Sequence, residues 1–317
     1  MKKTNSKTLL AWGFSSLLVL ASCSVSEIIE SVPESPPASI EQSAEAISQA
    51  TSSNSLDPIL AAQDDATKAR YQYRHPKETL EFFGVEPGMT VIDILPGAGW
   101  YSKILLPFLG EEGSVIGLDY DLDMWRLYGG FANEEFLEKR KTWPSTWASD
   151  AEGWSSDGDA MVGALAHGNV LEDMTGKVDL VMMVRAFHHY NRFEEKGGFL
   201  TAALQDLHVL LKPGGIVGVV QHRAPEDSDD EWANGDNGYV KQSHVISTME
   251  AAGFKFIGSS EVNANPKDQP TKEDFVWRLP PVLSSSREDP ELRAQMIAIG
   301  ETDRMTLKFV KISAQGN

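Results

Sequence analysis

Twelve residues constrain this chain more than any others: Val91-Ile92-Asp93-Ile94-Leu95-Pro96-Gly97-Ala98-Gly99-Trp100-Tyr101-Ser102. Val91 to Leu95 is a short apolar run of the kind that forms a strand buried on both faces. Pro96-Gly97-Ala98-Gly99 breaks the run, and Tyr101, Ile104, Leu105 and Phe108 then fall on one face of a helix. Strand, glycine turn and helix open a nucleotide-type site. The glycines let the backbone approach a ligand, and the free N–H groups at the helix start face it. Glycine turns of this kind are common, so the reading needs a second landmark.

Gly113-Ser114-Val115-Ile116-Gly117-Leu118-Asp119-Tyr120 supplies it, as a second strand ending in an acid. A carboxylate there is placed to accept the ribose hydroxyls of an adenosine lying across the strand tips. Ser102 stands where a dinucleotide site has its third glycine, which counts against a pyrophosphate-bearing cofactor. With these residues together the chain resembles the class I S-adenosylmethionine-dependent methyltransferases, whose first motif is a strand, Asp or Glu, then G-x-G. The stretch RHPKETLEFFGVEPGMTVIDILPGAGWYS is similar to a branch of predicted secreted methyltransferases with a P-G-x-G-[WY]-Y signature. Asn265-Pro266-Lys267-Asp268 and Gly300-Glu301-Thr302-Asp303-Arg304 also look like that branch, and Leu211-Lys212-Pro213-Gly214-Gly215 before a strand is common in the superfamily.

The resemblance covers Asp64 to Ile312 and is weakest from Asp121 to Gly168. It implies an α/β fold with a doubly wound, mostly parallel, seven-stranded Rossmann-like sheet. Met305 to Ile312 would be its antiparallel edge strand. It also implies S-adenosylmethionine as cofactor. Gly97 and Gly99 would flank the methionine part, Asp93 would order its amino group, Asp119 the ribose and Tyr120 the adenine face. Two positions depart from the pattern. Leu95 stands where the superfamily usually has glycine, and Asn169 stands where an Asp often contacts the adenine amino group. An Asn still accepts that bond through its carbonyl oxygen.

Val178 to Arg185 reads as a further buried strand with Ala186-Phe187-His188-His189-Tyr190 at its tip. Ligands sit at such tips in open parallel sheets. His188 and His189 are therefore the candidate proton-transfer residues, with a structural role as the alternative. A metal is disfavoured, because adjacent side chains on an extended chain point apart and no ligand cluster accompanies them. The segment Asp121–Gly168 holds Trp125, Trp143, Trp147 and Trp154. It reads either as a lid over the acceptor or as elaborated core. Tyr71 and Arg74 either fold over the cofactor or lie on an exposed helical face.

The start of the chain reads as an address. Lys2, Lys3 and Lys7 precede an apolar run from Leu9 to Leu20, which ends in Leu20-Ala21-Ser22-Cys23. This is the layout of a secretory signal and looks like a bacterial lipobox, with Cys23 as the lipidated residue. The run falls short of the ~20 residues a spanning helix needs. Residues 1–22 are the expected signal peptide and 23–55 a flexible tether rich in Ser, Ala, Glu, Pro and Gln. Residues 56–312 are the expected methyltransferase-like domain, with an insertion at about 121–168, followed by a tail at 313–317. Ser24 is not the Asp that holds enteric lipoproteins in the inner membrane, so an outer-membrane anchor facing the periplasm is expected. The net charge of −18 argues against nucleic acid or anionic headgroups as partners. The expected activity is methyl transfer to a small-molecule acceptor by a lipid-anchored enzyme. The alternatives are a non-catalytic binding lipoprotein on the same scaffold and, disfavoured by Ser102, a nicotinamide-dependent oxidoreductase.

Overall fold

A computed structural model describes residues 55–168 and 174–312; Cys23, the tether and Asn169 lie outside the described residues. The strands are β1 (Thr90–Ile94), β2 (Ser114–Asp119), β3 (Met161–Ala166), β4 (Val178–Val184), β5 (Leu211–Ala224), β6 (Val240–Lys241), β7 (Phe254–Ser260) and β8 (Arg304–Lys311). Their order in the sheet is β3-β2-β1-β4-β5-β8-β7, with the two-residue β6 paired to the end of β5. β1 to β5 run parallel, whereas β8 is antiparallel to both β5 and β7. The sheet therefore has seven main strands. The antiparallel strand stands one place in from that side of the sheet, and β7 is outermost. β7 alternates buried and accessible residues, as a strand with one covered face should. The central strands are apolar on both faces, and Val91, Ile92, Val181 and Met182 are all fully buried.

Two segments differ from the sequence reading. Residues 121–168 are not an added lid: they hold β3 itself and the crossover helix Trp143–Glu152 that leads to it. Trp147 of that helix is buried against Gly117 on β2, where an added Cβ would lie 2.8 Å from the indole. Two short helices, Leu122–Arg126 and Glu134–Lys141, occupy the loop after β2. Residues 56–83 form four short helices, Leu56–Ala62, Asp65–Lys68, Tyr71–Arg74 and Pro76–Phe83. Asp64 caps the second by accepting from the Thr67 backbone N–H at 2.9 Å. His75, in the left-handed region at φ 38°, breaks the chain before Pro76 starts the fourth. Among the described residues no helix is long and apolar enough to cross a membrane.

The fourth of these helices is pinned to the sheet by Phe83. Its ring lies where a side chain on Gly218 of β5 would be, 2.5 Å from an ideal Cβ. Gly218→Ala should therefore overpack the core and cost about 1–3 kcal/mol in urea denaturation. Phe83→Leu in the same chain should recover part of that loss. Additive losses in the double variant would show that the two residues do not compete for one space.

Candidate functional site

The parallel strands end at the point where the chain turns from one half of the sheet to the other, between β1 and β4. Asp93, near the end of β1, is 3% exposed and accepts a hydrogen bond from Ser102 Oγ at 2.7 Å. Ser102 opens the helix Ser102–Leu109, so this bond closes the intervening turn. Burial pushes the Asp93 carboxyl up to about 7, against the opposing effect of Ser102. Leu95, Gly97 and Gly99 all take positive φ, at 51°, 57° and 75°. Leu95 does so without a glycine's freedom, which is local backbone strain in the turn after β1.

The two glycines have different surroundings. Gly97 is exposed, and a Cβ added to it would meet no protein atom within 4 Å. Gly99 is buried, and a Cβ there would lie 2.2 Å from the Trp154 ring. Trp147 Nε1 donates to the Gly97 carbonyl oxygen at 3.2 Å. The tryptophans thus brace the turn from the helix side, and Gly97 and Ala98 face outward.

At the end of β2 the expected ribose-binding group is already engaged. Asp119 Oδ1 accepts from Trp125 Nε1 at 3.2 Å and Oδ2 from Arg140 Nη1 at 3.1 Å. Burial raises the Asp119 carboxyl above its ordinary value even though Arg140 opposes the shift. Tyr120 is 1% exposed, with its hydroxyl 2.6 Å from His189 Nδ1 and its ring against Trp125 and Tyr190. Beside this group lies an open cavity of about 400 Å³, lined among others by Tyr120, Arg140, Pro144 and Ala164 to Ala166. Its size is within the range of small-molecule sites.

The histidines at the tip of β4 lie on the short helix Phe187–Asn191, not on extended chain. Their rings are 3.9 Å apart, and His222 of β5 stands 5.4 Å from His188. Gln221 donates its amide to the Gly238 carbonyl, which leaves its Oε1 as the acceptor for His188 Nδ1 at 3.1 Å. His188 Nε2 then carries the lone pair, buried and without a hydrogen-bond partner. Burial pushes His188 down to about 3 and holds His189 and His222 well below the ordinary histidine value. All three imidazoles are neutral at physiological pH. A general base works best with a pKa near the operating pH, so these surroundings suit hydrogen bonding better than proton abstraction. No group of three or more His, Cys, Asp or Glu among the described residues is arranged to hold a metal ion.

No family model matches the chain. A 45-residue stretch is 42% identical to ribosomal RNA small subunit methyltransferase H of Solidesulfovibrio magneticus, covering 14% of each chain. A 49-residue stretch is 39% identical to its namesake from Flavobacterium psychrophilum, covering 16% of this chain and 17% of that one. The chain thus spans less than a fifth of the length of these curated relatives. Solved structures of similar course include a complex of the Haloferax volcanii Trm112 methyltransferase activator with a methyltransferase, at TM-score 0.48 and 16% identity, covering 83% of this chain and 100% of that one. A SAM-dependent methyltransferase from Aquifex aeolicus is similar at 0.40 and 22%, over 66% and 93%. The Burkholderia thailandensis 1,6-didemethyltoxoflavin-N1-methyltransferase, solved with S-adenosylhomocysteine, is similar at 0.44 and 14%, over 88% and 93%. These likenesses concern the path of the chain and say nothing of what it binds.

The strand tips also gather residues that sequence reasoning did not join. Glu301, just before β8, is 4% exposed and is held by Arg70, Arg74 and Arg304. Arg74 additionally stacks on Trp100 of the glycine turn, 4.5 Å from the ring centroid. Arg74 is buried, so the exposed-face account of it is not what the structure shows. Gly300-Glu301-Thr302-Asp303-Arg304 stands out in the sequence as a motif, but nothing in it names Arg70 or Arg74 as partners.

Asp93 gives a pH test. Its folded-state pKa lies above the unfolded value, so its protonated form stabilises the fold fully below about pH 4. That contribution is lost as pH rises towards 7. Asp93→Asn keeps an acceptor for Ser102 and removes the titration. Relative to the native chain it should gain on the order of 3 kcal/mol in stability between pH 4 and pH 8. Chevron or denaturant midpoints that shift equally in both chains across that window would contradict the raised pKa.

Proposed function

We propose that this chain binds S-adenosylmethionine at the β1–β4 switch point and transfers its methyl group to a small-molecule acceptor. The observation that carries the reading is Gly97, left-handed and open to approach in the turn that follows the buried Asp93, on a sheet of this order. It is supported by the motif resemblance and by the two short curated matches, both to methyltransferases. Gly97 leaves room for the methionine backbone, and an ionised Asp93 would hold its ammonium group. Bound there, the cofactor supplies an electrophilic methyl on a sulfonium, already a good leaving group. What this chain's residues then contribute is alignment of the acceptor and exclusion of water. His188 and His189, at the tip of β4, would serve as neutral hydrogen-bonding groups rather than as bases.

The ribose end fits only if Arg140 gives up Asp119 to the ligand. This favours keeping a second reading, a binder on the same scaffold whose ligand does not use Asp119. Calorimetry with S-adenosylhomocysteine separates the two. In the first reading Gly97→Val abolishes binding, through both the φ of 57° and the lost space. Asp119→Asn weakens it by about 1.5–3 kcal/mol, and Arg140→Met strengthens it by freeing the acid. Binding insensitive to Asp119 and Arg140 supports the binder. Absence of binding to either S-adenosylmethionine or S-adenosylhomocysteine by folded protein removes the methyltransferase reading.

We also propose that the chain is lipidated at Cys23 and held in the outer membrane facing the periplasm. The support is the basic start, the apolar run and Leu20-Ala21-Ser22-Cys23. Cys23→Ser should move the protein from the membrane to the soluble fraction, whereas a variant that still sediments with membranes would contradict the anchor.

A further inference from the structure

Four arginines meet at the tips of β1, β4 and β8, with Glu301 as the carboxylate among them. Arg70 donates to Glu301 from Nε at 2.8 Å and from Nη2, Arg304 reaches it at 3.2 Å, and Arg74 at 3.8 Å. One carboxylate is therefore shared by three guanidinium groups. Arg185 is the fourth. It follows β4 directly, takes the left-handed φ of 57°, and makes no side-chain hydrogen bond or ion pair to any described residue. Its electrostatic neighbours are Arg304, Glu301, Arg70 and Tyr101. Asp303, the next carboxylate along the chain, is taken up by Arg223 and the backbone N–H of Asn265.

A buried group of like charges with too few counter-charges is costly. Three of these guanidinium groups carry an Nε with no hydrogen-bond partner: Arg74, Arg185 and Arg304. Arg74 and Arg304 are 5% and 2% exposed, so water does not screen them fully. Burial first, and then the charge of Arg304, holds the Arg185 guanidinium below its ordinary value, the direction expected for an uncompensated cation. Left-handed backbone at a half-buried, non-glycine residue with no side-chain partner is the kind of strain that gathers at binding positions.

We propose that Arg185, backed by Arg74 and Arg304, receives an oxyanion, a carboxylate or phosphate carried by the methyl acceptor. This rests on the methyltransferase reading for the word acceptor, but not for the anion site itself. An arginine fork matches such groups bidentately. The acceptor is assigned rather than the cofactor because Arg304 pairs with His222 across β8 and β5, and Arg185 follows β4 with its backbone N–H on Val220 of β5. Asp93 and Gly97 take the β1 side. Neutral His188 and His222 add no charge of their own there.

The test is thermal unfolding of the folded domain with inorganic phosphate and with malonate, against chloride at matched ionic strength. The native chain should rise by about 2–4 °C per tenfold excess of a bound oxyanion over its Kd. Arg185→Gln should lose that rise, yet unfold no earlier than the native chain in chloride, because it removes an uncompensated charge. An equal response to the oxyanions in both chains would overturn the proposal. So would an Arg185→Gln chain that is less stable in chloride, which would mean a packing role. The source of the anion is read by titrating S-adenosylhomocysteine with phosphate present. Independent binding supports the acceptor, and competition between the two places the cofactor's own carboxylate at Arg185 and overturns the assignment. If S-adenosylhomocysteine does not bind while the oxyanion effect persists, the methyltransferase reading fails and the anion site stands.

Discussion

The bond from Ser102 to Asp93 is the contact on which the strand tips depend. A carboxyl buried at the end of a central strand must keep a donor, since an unpaired polar group there would cost free energy comparable to a lost hydrogen bond. Ser102 supplies it from the first residue of the next helix. The chain between them is then too short to relax, and it turns through left-handed backbone at Leu95, Gly97 and Gly99. Trp147 and Trp154 press on the same turn from the crossover helix and the loop after it. The strain at Leu95 persists because the turn is held from both sides.

The parts of this arrangement that could be read from the sequence are local. An apolar run, a glycine break and a helical face lie within twenty residues of one another, and each carries its own periodicity. Asp119 at the end of the second strand was legible for the same reason. Its occupation was not, because Arg140 comes 21 residues later on a helix whose polar pattern names no partner. The tryptophans show the same limit. Helical spacing around Trp143 and Trp147 fits a lid and a crossover helix equally well, and only the contact with Gly117 distinguishes them. Alternation identified β8 as a strand, while its place between β5 and β7 is fixed by pairing that no single strand records.

The two ends of the switch point are in unlike states. After β1 a glycine stands open, and after β4 a guanidinium lacks a partner. On the β2–β3 side the acid that would grip a ribose is locked to Arg140 and Trp125, with a cavity beside it. A scaffold can keep its sheet order while its chemistry is reassigned, and the two are separate questions here. Any ligand that reaches Asp119 must trade an existing ion pair for its own hydrogen bonds, so its net gain is smaller than the contacts alone suggest.

The lateness of β8 has a consequence for how the chain is made. Arg70 and Glu301 are 231 residues apart, and among the described residues β7 has no neighbour in the sheet other than β8. During synthesis from the N-terminus, Arg70, Arg74 and Arg185 all exist before the carboxylate that gathers them. β7 likewise waits with both edges unpaired, a template for mispairing with other chains. Contacts this distant in sequence form slowly. The last strand to be made therefore pairs β7 and brings Glu301 to Arg70 and Arg74 in one event, so a chain that stops short of it is left with both edges of β7 open and with no carboxylate between those arginines.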